Sequence, residues 1–405
     1  MIKTDHGNKT ERIHALDSLR AIMMLLGLVL HTAITYGTLN YGNAWTIKDA
    51  SSTSFIMDYI VNVIHNFRMP IFFVVAGFFG ALLFFERSPR RMLWNRTARI
   101  FIPFVVFIVL LSPTIIFAFT YSKSVFAGVE NPLASSLAIF SNPLLFIPPR
   151  TFHLWFLYYL FFISIISFGL GYLFESIPRF TNWSTNVFNR ILNQPILKVV
   201  VFSALTVVLL FIMNSTWVAT STSWVPDWKT FLFYFFFYGF GWILFKSKTH
   251  LDTFKKYDWT FTILALVVIS TQFFLYSSLG FALTIVFKSV AVWLFVFGIT
   301  GLFIRYGSRH SHLMRYNSDS SYWIYLLHLS IVATIPGLIA QWHVSAIVKF
   351  LFVFLLTSLI CVITYHYFVR ATFIGKFLNG RKYSRKLHPK REPIQVPLEK
   401  KATVA

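Results

Sequence analysis

Arg20 and His31 stand eleven positions apart in "LDSLRAIMMLLGLVLHTAI", residues 16–34, a stretch apolar enough to enter a membrane. Charged and titratable groups are costly in hydrocarbon, so both need a reason to be there. At about 100° per residue, eleven positions turn about 1100°, roughly 20° past three full turns, with a rise of about 16 Å. A helix therefore puts both on one face, Arg20 near an interface and His31 deep in the bilayer. A guanidinium presents a planar fork that suits phosphate and carboxylate. A neutral imidazole can accept a proton from a hydroxyl.

The same residue types recur at helical spacing. His65 and Arg68, in "VIHNFRMPIFFVVAGFF", are three apart, and so are Arg96 and Arg99 in "NRTARIFIPF". His153 opens "HLWFLYYLFF", and Tyr325 and His328 are again three apart in "SYWIYLLHLS". Each has a plainer alternative. An intramembrane His is often a helix–helix hydrogen-bond partner, Arg96 and Arg99 could be interfacial anchors, and Lys288 could extend its head outward to water. Trp45, Trp155 and Trp228 are placed to stack on sugar rings at the outer face, or simply to join an interfacial aromatic belt.

Absences narrow the chemistry. No Asp or Glu falls mid-span, which argues against a carboxylate-based proton-coupled carrier, and Asp17 and Glu86 sit at span ends. The sequence has no P-loop, dinucleotide fingerprint or HExxH run, and the single Cys361 excludes a disulfide or a multi-cysteine metal site. What remains is histidine and arginine chemistry: general-base work on an anionic substrate.

The elements that must position these residues are long apolar runs. The chain of 405 residues is 56% hydrophobic, 19% aromatic and only 12% charged, about half the charged fraction of a soluble protein. The runs lie at about 19–38, 59–84, 100–121, 154–174, 197–213, 229–246, 259–277, 282–304, 320–340 and 345–369. "FLFYFFFYGFGWILF" is apolar on every side, which excludes the alternation of a membrane barrel. The fold class expected is all-α and polytopic, with about ten transmembrane helices.

The formal charge of +22 reads as topogenic charge and not as a nucleic-acid surface. Alternate connections carry Lys3, Lys9 and Arg12, then Arg87 to Arg99, Arg179 to Lys198, Lys246 to Lys256, Arg305 to Arg315 and the tail from Arg370. The opposite connections carry only Lys48, Lys123, Arg150, Lys229 and Lys349. This skew puts both termini in the cytoplasm. The expected organisation is an N-tail, 1–18, a membrane domain, 19–369, and a solvated basic cytoplasmic C-tail, 370–405. The first run is too long and lacks a small-residue cleavage site, so it reads as an uncleaved span.

"LDSLRAIMMLLGLVLH" resembles the opening motif of the membrane acyltransferase type 3 family, an Arg followed by ten residues and a His. "FRMPIFFVVAGFF", "RTARIFIPF", "HLWFL" and "SYWIYLLH" resemble further motifs of that family, in the expected order and over nearly the whole chain. Details of the first, second and fourth strings are similar to a branch that adds succinyl groups to osmoregulated periplasmic glucans. Other relatives acetylate envelope polysaccharides.

The resemblance implies a bacterial inner-membrane enzyme moving an acyl group from cytoplasmic acyl-CoA, the co-substrate, to a periplasmic glycan hydroxyl, with no tightly bound cofactor. Position and side-chain chemistry supply the parts: Arg20, Arg96 and Arg99, near the cytoplasmic interface, for the phosphates of coenzyme A, and His31 for catalysis. Arg68 would read a succinyl carboxylate or steady the thioester oxyanion. His65, His153, Trp155, Tyr325 and His328 would bind acceptor or orient His31. The partners expected are acyl-CoA, the glycan acceptor and the lipid bilayer, with no nucleic acid. The competing classes are a carrier that moves acyl donor or glycan without chemistry, and a sensor without turnover.

Overall fold

The computed structural model describes residues 5–218, 220–308 and 312–384. Lys3, Arg309 and the basic stretch from Arg385 onward lie outside the described residues, so the charges counted there have no structural account.

Ten helices among the described residues are long and apolar enough to cross a membrane. They are α1 (His14–Thr35), α2 (Phe55–Arg87), α3 (Pro89–Phe126), α4 (Phe152–Glu175), α5 (Pro195–Ile212), α6 (Trp228–Lys246), α7 (Lys248–Phe274), α8 (Phe281–Tyr306), α9 (Leu313–Leu338) and α10 (Ala346–Val369). Odd-numbered helices run away from the end that holds the termini, and even-numbered helices return to it. The protein is an all-helical, multi-pass membrane protein.

The expected runs are all present, but several begin earlier than hydropathy alone places them. Asp58, Asp258 and Asp319 each lay just outside an expected span and stand inside an observed helix. Asp58 stands in the first turn of α2 and accepts from the backbone N–H of Thr38 and Leu39 in the segment after α1. Asp258 opens the regular α-helical part of α7, after a 3-10 stretch over Lys248–Tyr257, and it accepts from Trp259 N–H and pairs with Arg305. A carboxylate in a first turn favours the positive end of the helix dipole, so polar helix starts extend beyond the apolar window.

Lipid tails are as apolar as leucine, so helices in a bilayer associate through close packing and hydrogen bonds. The tightest crossing joins α2 and α6, where a Cβ on Gly77 would strike the Tyr238 carbonyl and one on Gly241 the Val74 carbonyl. Helix α1 packs against α2, α8, α9 and α10, and α3 packs against α9. α1 and its motif residues are thereby central to the bundle.

Two surface pieces complete the scaffold. At the termini end, an amphipathic helix (Pro178–Asn193) buries Phe188 and Leu192 and leaves Phe180 and Trp183 exposed. At the far end, the segment 36–54 folds back over α1. Its Asp49 N–H bonds the Thr35 carbonyl, and the Asp49 carboxylate pairs at 2.6 Å with Lys349, both side chains fully buried. Ser52 Oγ bonds the Val344 carbonyl at 2.9 Å. These bonds hold the segment as a roof over the end of α1.

The C-terminal stretch departs from the expected solvated tail. Residues Phe373–Asn379 form a short helix that buries Gly375 and Leu378 against the termini end of the bundle.

Candidate active site

His31 lies one turn from the far end of α1, four residues before Thr35, or about 6 Å along the axis. The helix ends at Thr35, three residues short of the expected end of the run, so His31 stands close to the far end of α1. The roof covers it there. Trp45 stacks on the imidazole with ring centroids 5.3 Å apart, and its indole N–H bonds Thr35 Oγ1 at 3.0 Å.

Three further elements bring side chains to His31. From α9, the His328 ring lies 5.4 Å from that of His31, and from the start of α4, His153 lies 5.3 Å from His328. His328 Nδ1 faces the Tyr325 carbonyl at 2.7 Å, and His153 Nε2 faces the Leu326 carbonyl at 3.0 Å. A carbonyl only accepts, so each of those nitrogens carries a proton. In the neutral rings, His328 Nε2 and His153 Nδ1 are therefore lone-pair acceptors. Both are buried without a partner among the described residues, as is His31 Nδ1. Tyr325 donates its hydroxyl to the His153 carbonyl at 2.7 Å.

Arg68 enters from α2. A Cβ at Gly27 of α1 would collide with its Nη1, so the missing side chain there is what admits the guanidinium. Two residues on, Pro70 lacks the N–H that would bond the Asn66 carbonyl, which loosens the helix beside Arg68. Arg68 Nε is buried without a hydrogen-bond partner. His31, Arg68, His153, Trp155, Tyr325 and His328 together line a cleft of about 20 Å³, room for about one water. The cleft lining holds no carboxylate, and its one permanent cation keeps an unspent donor. The arrangement offers lone pairs for a proton and a guanidinium for developing negative charge.

The cleft continues into a much larger cavity. Met24, Phe72 and Phe156 line both, and the larger space, about 790 Å³, opens toward the termini end. Its walls carry Arg20, Arg96, Arg99, Arg315 and Arg381 against Asp17 and Asp319. The spacing argument for α1 is visible here: Arg20 lines the wide cavity and His31 the narrow cleft above it.

The expected arginines are partly engaged. Arg20 pairs with Asp17 at 3.1 Å, and Arg96 donates to the Ala76 carbonyl at 3.0 Å. Arg99 donates to the carbonyls of Lys376 and Phe377, each at 3.1 Å. Arg96 precedes and Arg99 lies within the turn Thr97–Phe101, a π-helical widening that breaks the regular ladder of α3.

Several expectations are displaced. His65 lines neither cavity. Trp45 and Trp155 are only 6% and 5% exposed, packed in the core and not on an outer sugar platform, whereas Trp228 is half exposed. Lys288 does not stretch into water: its ammonium lies over the Trp217 ring, 6.0 Å from the centroid. Trp45's position on His31, Gly27, and the cavity residues Arg315, Asp319, Arg381 and Tyr383 escaped the sequence reading. The string "FIGKFLNG" did carry a signal, an apolar stripe ending in Gly380 at the position past a helix end.

Residues 13–366 match a family model described as an acyltransferase domain. Among curated proteins, the chain is similar to the glucans biosynthesis protein C of Salmonella paratyphi B, Salmonella heidelberg and Salmonella enteritidis PT4. Each is 33% identical over 166 residues, 40% of this chain and 40% of the relative. The chain thus spans about two-fifths of the length of the curated relatives it matches. No solved structure matches.

Proposed function

We propose that this chain, which belongs to the acyltransferase family whose model spans residues 13–366, moves an acyl group from acyl-CoA to a glycan hydroxyl across the bacterial inner membrane. The observation that carries the reading is an arginine-walled cavity that adjoins the His31 cleft, with Met24, Phe72 and Phe156 lining both. The charge skew of the loops puts the wide mouth in the cytoplasm, where acyl-CoA is found, and the roofed end toward the periplasm.

The donor's phosphates lie among the arginines of the cavity, and its acylated arm reaches up to the cleft. His31 takes the proton of the acceptor hydroxyl. The freed oxygen attacks the thioester carbon, the C–S bond breaks, and the CoA sulfur leaves with the electron pair and gains a proton. Arg68 holds the negative charge that builds on the thioester oxygen, or pairs with the far carboxylate when the group is succinyl. His328 and His153, each fixed by a backbone carbonyl, keep the wall of the cleft in register with His31. A general base contributes about 10²–10⁴-fold, and that is the loss expected for His31→Ala. A route through an acyl-histidine consumes the same residue and has the same outcome.

The glucan acceptor is our proposal from the name of the relatives, and the succinyl group from the motif resemblance. The test is a strain lacking this protein, complemented with wild type or His31→Ala at matched membrane abundance, with periplasmic glucans read by mass. A succinyl-sized addition with wild type and none with the variant is expected. An acetyl-sized addition, or one on another envelope polysaccharide, would redirect the acyl group or the acceptor. An addition with both strains would remove His31 from catalysis.

A further inference from the structure

The C-terminal segment enters the cavity wall through bonds that are specific and unusual for a tail. Arg99 caps the end of the helix Phe373–Asn379 by donating to its last carbonyls, those of Lys376 and Phe377. Gly380 follows in the left-handed conformation, φ +84°, and a Cβ there would run into the Arg99 guanidinium. Asn379 Nδ2 bonds the Asp319 carbonyl at 2.9 Å, and Tyr383 N–H bonds the Arg370 carbonyl at 3.0 Å. Leu378, Asn379, Gly380, Arg381 and Tyr383 then line the cavity.

Within this segment, Arg381 Nε donates to Tyr383 Oη at 2.8 Å, and the Arg381 guanidinium lies over the same ring, 4.8 Å from its centroid. Asp319 lines the same cavity. Burial pushes the Tyr383 phenol up to about 12, so it stays a neutral donor at neutral pH. Tyr383 thus holds the Arg381 guanidinium at the cavity, and neither Nη of Arg381 makes a hydrogen bond among the described residues. Arg20, Arg96 and Arg99 each spend an Nη on the protein.

We infer that residues 370–384 are part of the donor site, with Arg381 binding the phosphates at the nucleotide end of the donor and Arg99 acting as the positioning residue that docks the segment. This rests on the reading that the donor is acyl-CoA. The ligand chemistry is a phosphate anion, which a lipid headgroup at the cavity mouth also carries.

The test uses the purified full-length protein with two donors bearing the same acyl group, acyl-CoA and acyl-pantetheine, which lacks the phosphates and nucleotide. Arg381→Gln is expected to raise the KM for acyl-CoA roughly tenfold to a hundredfold, with kcat within about twofold and acyl-pantetheine turnover unchanged. Gly380→Val, which crowds Arg99, is expected to give the same split, and this tests docking apart from Arg381's own charge. Equal kinetics of wild type and Arg381→Gln with acyl-CoA would overturn the inference, as would an equal loss with both donors. A defect seen in anionic-lipid vesicles and absent in neutral ones would assign Arg381 to lipid and overturn it too. If wild type turns over acyl-pantetheine or another thioester and ignores acyl-CoA, the donor reading itself fails, a result distinct from failure of the variants alone.

Discussion

An imidazole acting as base needs a free lone pair, a fixed ring and a counterpart for the charge it helps to create. His31 has an unpartnered nitrogen, a stacked Trp45 and an embedded Arg68 with an unpartnered Nε. If Arg68 reads the far carboxylate of the acyl group, Arg68→Gln will reduce succinyl transfer by at least about tenfold more than acetyl transfer. Kinetics with both donors decide it, and an equal loss would leave Arg68 to the thioester oxygen alone. The ionisable members of the site were legible in the sequence because an Arg or His inside an apolar run is conspicuous. Trp45 was singled out for the outer face, but its place on His31 was not legible, since it comes from a chain reversal. Gly27 was equally silent: its importance is the volume it leaves for a side chain on another helix.

Elements place these residues by a few long-range bonds. The roof over His31 hangs on the buried pair between Asp49 and Lys349, which lie 300 positions apart. Breaking a buried ion pair by removing one partner costs about 3–5 kcal/mol, because the other charge is left stranded. Asp49→Ala is therefore expected to lower the Tm of the detergent-purified protein, while Asp49→Leu with Lys349→Met recovers most of the loss. Thermal unfolding with both variants measures this, and an unchanged Tm for Asp49→Ala would show that the roof is held by its other bonds. Helix count and order were readable from hydropathy, since a run near twenty apolar residues has one economical conformation in lipid. Helix starts were not, because Asp58 is held by the backbone N–H of Thr38 and Asp258 by Arg305, bonds that hydropathy does not register. The docked segment Phe373–Asn379 was overlooked for a related reason: seven residues are marginal alone and become a helix through Arg99.

At the scale of the molecule, the central idea is a donor cavity at the termini end joined to a roofed histidine cleft at the other. The orientation makes a direct prediction. In a Cys361→Ala background, a cysteine at Arg90 is expected to react with a membrane-impermeant thiol reagent only from the cytoplasmic face. One at Val225, which is 76% exposed, is expected to react only from the periplasmic face. The reverse pattern would put the arginine cavity on the wrong side for acyl-CoA. The most direct measurement is made on purified protein given succinyl-CoA and unsubstituted glucan, following release of CoA thiol alongside new ester on the glucan. Wild type is expected to release one thiol per ester formed, and His31→Ala to lose both together by about 10²–10⁴-fold. Thiol release and ester formation undiminished in His31→Ala, or glucan modified with no thiol released, would contradict transfer at this cleft.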